Sequence, residues 1–270
     1  MKHALTIAGS DSGGGAGIQA DLKTFAAMGV YGMSVITAIT AQNSCGVMAV
    51  ETVSRQMIAA QMDAIYSDIP VDSVKIGMLS NGEIVEEVAW GLCRYNVEHA
   101  VLDPVMVAKG GRILLEEAAV SFMKEKLIPL SLVVTPNLPE AEVLTGLEVK
   151  DQASMLRAAK AIYKMGARYV IVKGGHLEGA AGDLLYDGTA AEVFSQERVA
   201  QKHTHGTGCT FSSAIAAGLA KGLSVREAVR QAKVYITMAI RQGFPLGAGI
   251  GPVHHFFSWY PNEKKYVDKI

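Results

Sequence analysis

The chain has 270 residues, is 50% hydrophobic and carries a formal net charge of −1, enough to bury one sizeable core. No Lys/Arg block stands out, which speaks against a nucleic-acid surface or a polybasic membrane contact. Cys45, Cys93 and Cys209 are odd in number and far apart, with no CxxC pair, so the sequence predicts a reducing compartment and any metal on oxygen ligands. The N-terminal Met1–Ala8 stretch is too short for a signal peptide, and no apolar run reaches the roughly 18 residues of a membrane span. The expectation is a soluble, cytoplasmic protein.

Leu5–Ala8 reads as a buried strand that ends in the glycine-rich loop Gly9–Gly17. A helix is predicted from Ile18 to Met28, stopped by Gly29. Tyr31–Thr40 is an apolar, β-branched strand, and Val47–Val53 is a short one at the sheet edge. Helices follow over Ser54–Tyr66 and Asn81–Tyr95, separated by the strand Val74–Gly77. His99–Leu102 is a strand ending in Asp103-Pro104, and Lys109-Gly110-Gly111 a mobile-loop candidate. A helix over Glu116–Leu127 precedes the strand Leu132–Val134, which closes on Thr135-Pro136-Asn137. Helices at Pro139–Leu144 and Gln152–Met165 lead to the strand Tyr169–Val172 and then Lys173-Gly174-Gly175-His176. Leu184–Gly188 and Ala191–Phe194 form a hairpin on an Asp-Gly turn. Two helices, Thr210–Lys221 and Ser224–Arg241, finish the chain.

Strands alternating with helices predict an α/β fold: one domain over 1–270, with a mainly parallel sheet covered on both faces. Ligands in such sheets bind at the carboxyl ends of the strands. Those ends carry Gly9–Gly17, Gln42-Asn43, Gly77-Met78, Asp103-Pro104, Asn137, Lys173–Gly175 and His205–Cys209.

The stretch Thr204–Ala214 is the most informative of these. Glycines and small polar residues run into an alanine-rich helix, whose bare N–H groups and dipole suit an anion, phosphate above all. Cys209 sits in the first turn, where a thiolate forms most easily. The N-terminal loop has two misleading resemblances. Gly15-Ala16-Gly17-Ile18-Gln19-Ala20 fits GxGxxA, but no Asp or Glu occurs from Leu22 to Val50 to hold a ribose. It is not a phosphate-binding P-loop either, for want of Gly-Lys-Ser/Thr. It remains either a tight turn or a loop that admits a small substrate, with Asp11 or Asp21 in contact.

Gln42 offers donors and an acceptor to a heterocycle edge such as an aminopyrimidine, or else caps its own backbone. Asp103, Asn137 and Glu140 are hard oxygen ligands suited to Mg²⁺ beside nucleotide phosphates; Asn137-x-x-Glu140 equally fits a helix cap. Lys173 would neutralise phosphates or simply end a strand. Lys233 reads as a surface residue, and His205, His254 and His255 as structural ones.

Taken together, Ala8–Asp21, Thr40–Asn43, Lys75–Leu79, Asp103–Met106, Thr135–Ala141, Lys173–His176, Thr204–Thr210 and Gly249–Phe256 resemble the hydroxymethylpyrimidine/phosphomethylpyrimidine kinase family of thiamine biosynthesis. The resemblance runs nearly end to end. It implies a ribokinase-like three-layer sandwich with a small β hairpin at its edge. It also implies ATP and Mg²⁺, a homodimer, and two successive phosphoryl transfers to 4-amino-5-hydroxymethyl-2-methylpyrimidine. By motif match, Gln42 holds the pyrimidine, with Gly9, Asp21, Met78 and Val105 around it. Gly206, Thr207, Gly208 and Cys209 form the anion hole, with Cys209 as base. Lys173, Gly174, Lys233 and Thr207 lie at the nucleotide, and Asp103, Asn137 and Glu140 at the metal. Most ribokinase-like enzymes carry Asp where this chain has Cys209. A thiol of ordinary pKa, roughly 8.5, then needs the helix end and anion hole to lower it. Related pyridoxal kinases carry a second cysteine where this chain has Ala108, which with Gln42 favours pyrimidine over pyridoxal.

Overall fold

A computed structural model describes residues 1–107, 114–175 and 181–260 of the chain. Ala108, the Lys109-Gly110-Gly111 loop and His176 lie outside the described residues. The described residues form one sheet of nine strands in the order β3-β2-β1-β4-β5-β6-β7-β8-β9. These are β1 (His3–Asp11), β2 (Tyr31–Asn43), β3 (Gly46–Thr52), β4 (Ser73–Ile76), β5 (Ala100–Leu102), β6 (Val133–Val134), β7 (Tyr169–Val172), β8 (Ala181–Tyr186) and β9 (Ala191–Gln196). The run β2-β1-β4-β5-β6-β7 is parallel throughout, while β3, β8 and β9 add antiparallel edges.

Among the described residues eight α-helices cover the two faces: α1 (Gly17–Ala27), α2 (Arg55–Tyr66), α3 (Gly82–Arg94), α4 (Glu117–Phe122), α5 (Leu138–Thr145), α6 (Gln152–Lys164), α7 (Thr207–Ala220) and α8 (Val225–Arg241). Successive strand residues point to opposite faces. Leu102, Val134 and Val172 join the core under α2–α6, whereas their neighbours Val101, Val133 and Ile171 join the core under α1, α7 and α8. Because both faces are buried, the central strands are apolar at nearly every position. No helix of the described residues is long and apolar enough to cross a membrane.

Three elements differ from the sequence expectation. The first strand does not break at Gly9 but continues to Asp11. Gln42 and Asn43 are not in a loop: they end β2, paired with Val47 and Gly46 across the β2–β3 ladder. The helix expected over Glu116–Leu127 is α only to Phe122. It then widens into a π turn over Met123–Leu127 and tightens to a 3₁₀ turn at Ile128–Leu130, because Pro129 supplies no N–H to continue it.

Candidate active site

The first and last glycine loops close on each other. Asp11 folds the loop after β1 around its own carboxylate: Oδ1 accepts from the Gly13 N–H at 2.8 Å, and Oδ2 from Gly15 at 3.0 Å and Ala16 at 2.8 Å. Across from it, α7 starts at Thr207, one turn earlier than the apolar pattern indicates, because Gly206 at φ 82° is its N-cap. A Cβ on Gly206 would collide with the Gly15 carbonyl oxygen, so this left-handed position must also be glycine for space. His205 Nε2 lies 3.0 Å from Asp11 Oδ2 and bridges the two loops. The first-turn N–H groups of Gly208 and Cys209 have no helical acceptor and are open to an anion.

These loops form one wall of a cavity of about 800 Å³ at the carboxyl ends of the parallel strands. Gly9, Gln42, Met78, Val105, Asp103, Asn137, Glu140, Lys173, Gly206, Thr207, Gly208, Cys209 and Lys233 all line it. They come from sequence positions that the parallel topology alone brings to one edge. The volume is within the usual range for a small-molecule site.

Opposite charges are paired inside the cavity. Lys173 Nζ donates to Asp103 Oδ1 at 2.7 Å and lies 3.9 Å from Glu140 Oε2. A Cβ on Gly208 would be 3.5 Å from Asp103 Oδ2 and 3.6 Å from Lys173 Nζ, so the anion loop abuts this pair. Asn137 and Glu140 do form a reciprocal helix cap, each accepting the other's backbone N–H at 2.8 Å. While serving this cap, Glu140 also lines the cavity and faces Lys173. Burial, helped by Asp103, pushes the Glu140 carboxyl up to about 7, against the pull of Lys173 and the Asn137 bonds. Lys233 is not a surface residue: it is buried and donates to Asp183 Oδ2 at 2.7 Å.

Two residues placed at the ligands by motif are elsewhere. Asp21 is fully buried beneath the cavity and does not line it. It accepts from Thr6 Oγ1 at 2.6 Å, Ser213 Oγ at 2.7 Å and Lys75 Nζ at 2.9 Å. Asp21 shares one stripe of α1 with buried Ile18 and Phe25, so helical phase turns it to the sheet. Gly174 also does not line the cavity. Its N–H donates to Asp183 Oδ1 at 3.0 Å, and a Cβ there would strike the Gly182 carbonyl, so it serves the crossing of β7 and β8. The neighbouring Gly175 lines the cavity instead.

The expected lowering of the Cys209 pKa is not found. Burial pushes the thiol up to about 11; Lys75 opposes this, while Asp21 and Asp103 add to it. Among the described residues no three His, Cys, Asp or Glu side chains are grouped to hold a metal by themselves.

Sequence reasoning gave no role to Lys75 or Asp183 and read His205 only as structural. Lys75 is fully buried and lines the cavity floor, packed so that a Cβ on Gly77 would lie 2.7 Å from its Nζ. Burial disfavours its charge, but Asp21, Cys209 and Asp103 outweigh that and raise its pKa. A lysine between Val74 and Ile76 in an apolar strand was the available signal, since a buried charge needs a partner. His205 and Asp11 are joined across 194 positions, which no local pattern reveals.

The sequence profile described as phosphomethylpyrimidine kinase matches residues 11–254. The chain is 56% identical over 261 residues to a hydroxymethylpyrimidine/phosphomethylpyrimidine kinase of Rhizobium meliloti, covering 95% of this chain and 98% of that one. It is 54% identical over 255 residues to a thiamine biosynthesis bifunctional protein of Geobacter sulfurreducens, covering 94% of this chain but 52% of the longer relative, about half its length. Among solved structures, a Bacillus subtilis pyridoxal kinase in an ADP complex superposes with a TM-score of 0.90 at 45% identity, covering 96% of this chain and 100% of that one.

Proposed function

The chain belongs to the phosphomethylpyrimidine kinase family, and we propose that it transfers the γ-phosphoryl group of ATP to the hydroxyl of 4-amino-5-hydroxymethyl-2-methylpyrimidine and then phosphorylates the monophosphate. The observation that supports this reading is the placement of Gln42 and the Gly206–Cys209 loop on one cavity, with Lys173 and Asp103 beside the loop. Phosphoryl transfer needs mainly positioning and charge neutralisation, and these residues supply both.

In this reading Gln42 pairs with the ring edge, and Gly9, Met78 and Val105 bound the ring. The N–H groups of the Gly206–Cys209 loop hold the phosphoryl group in transfer. Lys173, Thr207 and Lys233 lie along the nucleotide phosphates. Cys209 takes the hydroxyl proton as thiolate, the minor form in the ligand-free site, favoured by the Lys75 ammonium. A loose transition state asks for this proton only late, so a small thiolate fraction suffices. Asp103 and Glu140 suit Mg²⁺, which takes one or two carboxylates and fills its shell with phosphate and water. Glu140, raised to about 7 by burial, is a carboxylate short of cationic compensation. The Asn137 carbonyl keeps one lone pair beyond its cap. The ion would neutralise phosphate charge. We read residues 1–270 as one kinase domain, acting as a homodimer in the cytoplasm, on the strength of the family resemblance.

The test is ADP release from Mg-ATP with the pyrimidine, with its monophosphate, and with pyridoxal and pyridoxine. The first two should turn over best; no turnover with either removes the proposal. Similarity to the Bacillus subtilis pyridoxal kinase supports a second reading as a vitamin B6 kinase. A higher kcat/KM for pyridoxal than for the pyrimidine would establish that reading instead.

A further inference from the structure

Four side chains beside the cavity, Asp11, His205, Gln42 and Thr40, share one hydrogen-bond network, and its donors and acceptors can be counted. His205 Nε2 lies 3.0 Å from Asp11 Oδ2 and 3.3 Å from one atom of the Gln42 side-chain amide. The other amide atom lies 3.3 Å from Thr40 Oγ1. Ser12 pins the Gln42 backbone from both sides, with its Oγ 2.8 Å from the Gln42 N and 2.8 Å from the Gln42 O. With the backbone held, the question is which way round the amide lies. The O and N of an amide are told apart by their partners.

The chain supplies those partners. The Asp11 carboxylate accepts three backbone N–H groups and is an acceptor only. His205 Nε2 must therefore carry a proton and donate it to Asp11. A protonated Nε2 has no lone pair for an amide N–H, so the Gln42 atom beside it has to be the carbonyl oxygen. The Thr40 side agrees. Thr40 Oγ1 has one proton, and it goes to the Ser10 carbonyl oxygen at 2.8 Å, which can only accept. Toward Gln42, Thr40 is thus an acceptor, and the atom facing it has to be the NH₂ group.

We propose that His205, held by Asp11, is a positioning residue that fixes the Gln42 amide with its oxygen toward the anion loop and its NH₂ toward Thr40, and so sets which way round the pyrimidine ring binds. This rests on the pyrimidine kinase reading above. On an aminopyrimidine the ring nitrogen N3 accepts and the neighbouring 4-amino group donates. With the amide so held, N3 pairs on the Thr40 side and the 4-amino group on the His205 side. The 5-hydroxymethyl group is the next substituent around the ring after the 4-amino group. It therefore extends past His205 toward Gly206–Cys209, where the phosphoryl group is to be received. The reversed amide would turn the hydroxymethyl group away from that loop.

The first test is ¹⁵N NMR of the protein labelled in histidine, with the His205 signal assigned by its loss in His205→Gln. A proton on Nε2 near neutral pH is expected; a bare Nε2 overturns the proposal. This readout needs no turnover, so it stands apart from whether the substrate is a pyrimidine. The second test compares kcat/KM for the 4-amino substrate and its 4-oxo analogue, which presents donor and acceptor in the opposite order. His205→Phe should lose roughly 5- to 100-fold of the wild-type preference for the amino compound, the scale of one or two mispaired buried polar groups. His205→Gln, which keeps an N–H near the same point, should retain most of it. Should His205→Phe not fold, Asp11→Asn, which frees the histidine to change tautomer, is expected to lose the preference likewise. An unchanged preference in either folded variant overturns the proposal.

Discussion

Gly206 stands against the carbonyl oxygen of Gly15, so that the loop before α7 and the loop after β1 form one continuous wall although 190 positions of chain lie between them. The contact leaves no room for a side chain, and the φ of 82° disfavours one independently. Gly206→Ala is therefore expected to cut kcat by at least about 100-fold, because a displacement of roughly 1 Å at the anion loop misaligns the transferred group. Steady-state kinetics on folded variant would show it, and wild-type kcat would mean the loop tolerates being opened.

Cys209 is expected to be unreactive in the ligand-free protein at neutral pH. Burial has pushed its thiol up to about 11, and only the thiolate reacts. Iodoacetamide labelling of the Cys209 peptide, followed by mass spectrometry, should rise steadily with pH well beyond 9. Cys45 and Cys93 are exposed and should label first. Cys209→Ala should lower kcat far more than it raises the KM for the pyrimidine. A variant with near-wild-type kcat would remove the base role.

Lys75 and Asp21 form an ion pair in which both side chains are fully buried. Removing one partner leaves an uncompensated charge, so Lys75→Met should cost about 3–5 kcal/mol. Lys75→Met combined with Asp21→Asn removes both charges and should recover most of that loss. Urea unfolding of the two variants decides this, and equal destabilisation in both would show that the pair does not act as a unit.

Glu140 gives a pH dependence of stability with a definite sign. Its folded pKa is raised from 4.5 to about 7, so the folded protein binds more protons than the unfolded chain between those values. Stability from this group is full below pH 4.5 and is lost as pH rises through 7. Glu140→Gln keeps a neutral side chain at all pH. Measured by thermal melts without nucleotide or metal, its Tm relative to wild type should climb between pH 5 and pH 8. A flat difference would place the Glu140 pKa near its ordinary value.

Gln42→Ala should mainly raise the KM for the pyrimidine, because the ring loses its edge contact, with a smaller fall in kcat because the ring is no longer held one way round. An unchanged KM in the substrate titration would remove the contact.

The sequence by itself determined the alternation of strand and helix, the two glycine loops and the set of polar residues at strand ends. Each of these is local: a period, a breaker or a cap can be read within a dozen residues. The same locality explains the errors. Asp21 sits in a motif shared by ligand-contacting residues, yet the phase of α1 turns it down to Lys75, 54 positions away. Gly174 and Lys233 were read one residue or one strand at a time, whereas both answer to Asp183 on β8. The helix end and anion loop at Cys209 point to a lowered thiol pKa, but burial pushes it up and Asp21 and Asp103 add to that, against Lys75. Only the tertiary structure decided these points, because a buried charge or hydrogen-bond donor is defined by partners that the fold, not the neighbouring sequence, brings within reach.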